Sequence, residues 1–121
     1  MAVSIVAGGQ YGSEGKGKTA FLWARDKDAA AAVRVGGSNY GHTVYGEDNI
    51  QYAFRMLPTA SLLQGVTAVL PAGAYIDMPV LQKEIRISGI SEGRLKVDPN
   101  AVIIKEEYKE FEAKNGMGAY I

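Results

Sequence analysis

Gly12-Ser-Glu-Gly-Lys-Gly17-Lys18-Thr19 fits the pattern G-x-x-x-x-G-K-[ST]. It overlaps a stretch, Gly8 to Gly17, whose glycine density leaves only a loop. Before that loop, Val3-Ser-Ile-Val-Ala7 is an apolar run that reads as a buried strand. After it, Lys18 to Asp28 carries Ala20, Phe21, Trp23 and Ala24 in a helical pattern and ends in a charged tip. A glycine loop entering a helix turns successive backbone N–H groups toward one anion, and the helix end adds positive potential. In such a loop Lys18 brings a point charge to a β- or γ-phosphate, and Thr19 offers a hydroxyl to Mg²⁺. The bland alternative is a flexible turn that binds nothing. It leaves the strand–loop–helix setting unexplained.

The rest of the chain reads as α/β. Val33-Arg-Val35 is a strand stopped by Gly36-Gly37, which completes a βαβ unit with a parallel pair. Thr43-Val-Tyr45 and Ile50 to Phe54 flank the polar Gly46-Glu-Asp-Asn49, the pattern of a hairpin. Pro58-Thr59 opens a short helical piece, and Val66 to Leu70 reads as a buried strand. Asp77 is placed to N-cap a helix from Met78 to about Ser88, with Gly89 as its stop. Val102-Ile-Ile104 is a last strand, followed by a charged helix from Lys105 to Asn115 that Tyr108 and Phe111 pack to the sheet. The fold class predicted is α/β with a mostly parallel sheet and a P-loop-like phosphate-binding loop.

Composition removes several function classes. With 121 residues the chain holds one modest domain, 1–121. Thirteen Lys and Arg balance thirteen Asp and Glu, so no general basic field holds nucleic acid. Tyr40, Tyr45, Tyr52 and Phe54 therefore read as hairpin packing rather than a base-stacking platform. Cysteine is absent, which excludes thiolate zinc sites, disulfides and a cysteine nucleophile. The apolar runs are too short to span a bilayer, and no signal peptide precedes Val3, so neither a membrane nor export is expected.

A second glycine loop, Gly36-Gly-Ser-Asn-Tyr-Gly-His42-Thr43, follows the next strand and should emerge at the same sheet edge as the first. It carries His42, the chain's only histidine. Together, Gly9-Gln-Tyr-Gly-Ser-Glu-Gly-Lys-Gly-Lys18 and Gly37-Ser-Asn-Tyr-Gly-His-Thr-Val44 resemble the adenylosuccinate synthetase family. That family carries G-x-Q-[WY]-G-D-E-G-K-G-K first and G-G-x-N-A-G-H-T-[VL] later. Val69 to Ile76 and Arg94 to Ala101 resemble later family segments more loosely. The resemblance spans nearly all of this chain but only the N-terminal portion of the family. The chain also stops at Gly116-Met-Gly-Ala-Tyr-Ile121 without terminator signals, so a fragment, inactive alone, is expected.

The resemblance implies a ligase that joins a purine nucleotide to aspartate. GTP phosphorylates the 6-oxygen of IMP, and the aspartate amine then displaces that phosphate to give adenylosuccinate. By matching position, Gly12, Ser13, Glu14, Gly15, Lys16, Gly17 and Lys18 would cradle the triphosphate and the 6-phosphoryl group. Lys16 would take part in the chemistry. Asn39 would contact the nucleotide substrate, Gly41 would present a backbone carbonyl to Mg²⁺, and Thr43 would touch a phosphate. His42 would stabilise the transferring phosphoryl group or act as an acid. This assignment of Mg²⁺ to Gly41 competes with the plain P-loop assignment to Thr19. The resemblance further implies purine biosynthesis, a cytoplasmic location and a homodimer for the complete protein.

Ser13 departs from the family, which has its proton acceptor, an Asp, at that place. Serine has no carboxylate to deprotonate the purine N1 and is a poorer magnesium ligand. Losing a positioned base typically costs about 10²–10⁴-fold in rate. A phage branch of the family replaces the Asp in this way and makes 2-aminoadenylosuccinate from a guanine deoxynucleotide. No [NT]-K-x-D motif identifies the donor base, so GTP and ATP both stay open. Two other readings also stay open: a generic P-loop NTPase with Asp77 as its acidic magnesium residue, and a non-catalytic nucleotide-binding remnant.

Overall fold

The computed structural model describes residues 2–9, 14–35 and 41–114. Helix α1, Lys16–Asp26, starts where Gly15 adopts φ 76°, a left-handed conformation that glycine enters without steric cost. Its buried residues, Gly17, Phe21 and Ala24, fall on one helical face, which packs on the hairpin and on the 3₁₀ turn Thr59–Leu62. Strand β1, Ala31–Val33, follows. The hairpin pairs β2, His42–Tyr45, with β3, Gln51–Phe54, in antiparallel register, so that His42 faces Phe54 and Tyr45 faces Gln51. Asn49 at φ 62° and the Gly46 N–H to Ile50 O bond of 3.0 Å close the turn between them.

After the 3₁₀ turn comes β4, Thr67–Leu70, then β5, Tyr75–Ile76, and helix α2, Met78–Ser88. Strands β6, Leu95–Val97, and β7, Val102–Ile103, precede helix α3, Glu106–Lys114. The main sheet has the order β1-β4-β6, with both pairings parallel, and β5 pairs parallel with β7. The core gathers Phe54, Met56, Leu57, Ala68, Leu70, Ile76, Leu81 and Ile90. Fully burying an apolar side chain of this size contributes about 1.5–3 kcal/mol relative to exposure. A smaller cluster of Ala24, Ala60 and Val66 joins α1 to the 3₁₀ turn and β4.

Several sequence expectations hold: the α/β class, the hairpin, the short helical piece after Pro58, strand β4 and helix α2 with Gly89 at φ 68° behind it. Others are corrected. Val3 to Ala7 is neither a strand nor buried, for Val3 is 83% and Ile5 86% exposed. An apolar run states a preference for burial but supplies no ladder partner, and none pairs with it among the described residues. The βαβ unit is consequently formed by β4, α2 and β6. Strand β1 lies two residues earlier than expected, because its register is set by β4: Ala31 stands opposite Thr67 and Val33 opposite Val69. Tyr108 and Phe111 are exposed rather than packed on the sheet. Helix α3 is tied down instead by Lys109, whose Nζ lies 3.0 Å from the Asp77 carboxylate. Asp77 occupies the N-cap position of α2 but its side chain makes no capping bond.

Candidate functional site

Helix α1 presents its N-terminus with no side-chain cap and no acidic residue in its first turn. Its amide donors and the nearby Lys16 and Lys18 thus leave a positive end, the polarity that an anion needs. Lys18 and Thr19 are exposed, and Lys16 is half-buried. Glu14 folds back onto the preceding glycines: its carboxylate accepts from the Gly9 N–H and lies 3.3 Å from Lys16 Nζ. The carboxylate comes to rest against the Gly8 backbone, where a Cβ would oblige it to shift.

The first turn of α1 and the start of β2 meet at Gly17. This residue is buried, and a Cβ added there would lie 2.5 Å from the Cβ of His42 and 3.1 Å from Thr59 Cγ2. Thr59 Oγ1 donates to the Gly17 carbonyl at 2.6 Å. The first turn of α1 is thereby seated directly on the start of β2. His42 sits half-buried at that junction, and its imidazole is held below the ordinary value of 6.5, first by burial, then by the positive charges of Arg34 and Lys16. All three causes disfavour the protonated imidazole.

Beneath the junction lie two residues that sequence reasoning passed over. Arg34 is 9% exposed, and its Nη1 donates to the carbonyls of Phe54 at 2.9 Å and Leu57 at 3.2 Å. Burial lowers its pKa and the Glu84 charge opposes that shift. Glu84, 3% exposed on α2, accepts from the N–H groups of Arg55, Met56 and Leu57. A signal existed in the sequence. Arg34 interrupts the apolar Val33–Val35 run, and Glu84 falls three residues after Leu81 on the buried face of α2.

The structure therefore brings Lys16, Gly17 and His42 together, with Gly15 opening the helix and Glu14 beside it. Gly41 and Thr43 flank His42 and are exposed; the nearest atom to a Cβ built on Gly41 is Arg55 Cγ at 4.0 Å. Gly12, Ser13 and Asn39 lie outside the described residues. Among those described, no three His, Cys, Asp or Glu side chains group to hold a metal, and no helix is long and apolar enough to cross a membrane.

A family model described as adenylosuccinate synthetase matches residues 5–118. The adenylosuccinate synthetase of Acetivibrio thermocellus is 34% identical over 98% of this chain and 30% of its own length. That of Salinibacter ruber is 37% identical over 93% of this chain and 27% of its own. This chain thus spans about a third or less of the curated relatives it matches. Among solved structures, fully ligated adenylosuccinate synthetase from Plasmodium falciparum superposes with a TM-score of 0.79 at 26% identity, covering 92% of this chain and 26% of that one. Succinoaminodeoxyadenylate synthetase of cyanophage S-2L, bound to dGMP and to dATP as an energy donor, gives a TM-score of 0.67 at 30% identity. It covers 88% of this chain and 31% of that one. On the family match over nearly its whole length, this chain belongs to the adenylosuccinate synthetase family.

Proposed function

We propose that the full-length protein is a purine-nucleotide:aspartate ligase that joins IMP to aspartate at the expense of GTP. The observation that carries the reading is the seat of Gly17 on His42, the last glycine of the phosphate-loop motif against the histidine of the second motif. In this reading the γ-phosphoryl group passes to O6 of the purine, and the aspartate amine then displaces it as phosphate. Lys16, Lys18 and the open end of α1 neutralise the phosphates. His42 donates a ring N–H to the phosphoryl oxygens, or acts as the acid once the negative charge of the phosphates favours its protonated form. Asn39 contacts the nucleotide substrate and Thr43 a phosphate.

Mg²⁺ fits the donor set as an ion held mainly by substrate phosphates, since Gly41 is exposed and crowded by nothing closer than Arg55 Cγ. There it would neutralise phosphate charge, with the Gly41 carbonyl as its protein ligand. Asp77 does not support the generic NTPase reading, because its carboxylate is buried and pairs with Lys109. A cytoplasmic homodimer completes the proposal.

Ser13 favours a second reading, in which the substrate is GMP or dGMP and the product 2-aminoadenylosuccinate. The likeness to the cyanophage enzyme, solved with dGMP and dATP, supports it. A serine in place of a carboxylate removes the base but leaves a hydroxyl that can donate or accept beside a guanine edge. The deciding assay gives the full-length protein IMP, GMP and dGMP separately, with aspartate, Mg²⁺ and GTP or ATP. Turnover on IMP supports the first reading, turnover on a guanine nucleotide the second. No succinyl-nucleotide from any of them overturns both.

A further inference from the structure

The segment 54–57 is gripped from two elements at once. Glu84 on α2 accepts from three consecutive amides, at 2.9 Å from Arg55, 3.0 Å from Met56 and 3.1 Å from Leu57. Arg34, just past β1, donates to the carbonyls at the two ends of the same segment, those of Phe54 and Leu57. Phe54 is the register partner of His42, and Thr59, two residues past Leu57, holds the Gly17 carbonyl. The chain of contacts is continuous, running from Glu84 and Arg34 to the corner, then to His42 and Thr59, and closing at Gly17.

We propose that Glu84, with Arg34, is a positioning residue for phosphoryl transfer: it fixes the corner 54–57, and that corner sets His42 against the first turn of α1. The inference rests on the ligase reading above. Three amides pointing at one buried carboxylate cannot turn to other partners without moving the backbone that carries them. A shift of the corner therefore passes to β3 and Thr59 rather than being absorbed locally. Displacing a catalytic group by about 1 Å costs on the order of 100-fold in rate while leaving ground-state binding intact.

The test uses the full-length protein with its preferred nucleotide, aspartate and Mg²⁺. Glu84→Gln keeps the volume but points an amide NH₂ at backbone donors, and should lower kcat about 10- to 100-fold with nucleotide KM within about twofold. Thr59→Val breaks the same linkage at its far end and should act in the same direction. Combined with Glu84→Gln it should cost less than the product of the two single effects. Glu84→Asp, which restores the carboxylate, should recover much of kcat. Asp98→Ala serves as control: the Asp98 carboxylate accepts from the Asn100 N–H in the turn between β6 and β7, outside this linkage, so its loss should cost stability without changing kcat. If Glu84→Gln does not fold, the Thr59→Val and Glu84→Asp pair decides alone. An active wild type whose kcat is unmoved by Thr59→Val and by the Glu84 variants that fold overturns the positioning role. An inactive wild type overturns the ligase reading itself, and the positioning role with it.

Discussion

The α-carbon of Gly17 faces His42 so closely that a Cβ built on it would stand 2.5 Å from the Cβ of His42. The obstructing atom belongs to a stem fixed to β2, not to a side-chain tip that can swing away. Gly17→Ala should therefore push α1 off the hairpin. Overpacking of this kind typically costs about 1–3 kcal/mol, and denaturant unfolding of the full-length variant should read that loss together with a fall in kcat. A variant that matches the wild type in both would remove the seat as a constraint.

His42 should titrate below 6.5 in the ligand-free protein, as followed by its ring resonances. Lys16→Gln removes one of the charges responsible and should move that titration upward, though only in part, since burial is the larger cause. A folded pKa below the unfolded one means that the unfolded state binds the proton more readily. The contribution is thus complete above about 6.5, and is lost as pH falls through the folded value. A His42 that titrates at or above 6.5, or ignores Lys16→Gln, would contradict the cationic setting described.

At the hairpin turn, Tyr52 donates its hydroxyl to Asp48 at 2.7 Å. This bond, with the Ile50 N–H, depresses the Asp48 carboxyl below 3.8 and raises the Tyr52 phenol above 10.0. The pair should therefore stabilise the hairpin between those limits and fade on both sides. Acid removes it as Asp48 protonates through its lowered folded pKa; alkali removes it as Tyr52 ionises through its raised one. Tyr52→Phe should lower stability at neutral pH, with the gap to wild type closing at either extreme. A gap that is the same at every pH would show that ring packing alone is involved.

Lys18 is exposed and supports nothing in the core. Lys18→Ala should leave the melting temperature within about a degree of wild type, as surface changes usually do. Triphosphate affinity should fall about 10- to 100-fold, the scale of a lost charge-assisted hydrogen bond. Calorimetry on the full-length protein measures both. Unchanged affinity would take the phosphate loop out of the site.

Sequence made the local elements legible wherever a local cause was sufficient. Gly46 and Asn49 mark the hairpin turn, Pro58 the 3₁₀ turn, and Asp77 with Gly89 the ends of α2. Strands β5 and β6, two and three residues long, have too little pattern to be read. Val3 to Ala7 has a strong pattern but no strand partner among the described residues, which is the reverse failure. In the site, residue types in the two loops pointed to phosphate chemistry and their place after successive strands to one sheet edge, while the particular contact between Gly17 and His42 did not show. Nothing in the spacing of Gly17, His42 and Thr59 places them together. The signals at Arg34 and Glu84 are too slight to mark either as buried, because a buried charge is recognised by the backbone groups it satisfies, and those come from a distant stretch of chain.

The order of strands β1-β4-β6 also bears on how the molecule reaches its fold. The β2–β3 hairpin joins residues close in sequence, and such closures take about 1–10 μs. Strand β4 by contrast must find Ala31 far behind it and Leu95 far ahead, and pairings of that range slow folding because loop entropy is lost before contacts form. His42 thus belongs to an early-forming unit and Glu84 to a segment that docks late. In refolding, the hairpin amides should therefore gain hydrogen-exchange protection before those of residues 55–57, which Glu84 holds through a contact of longer range.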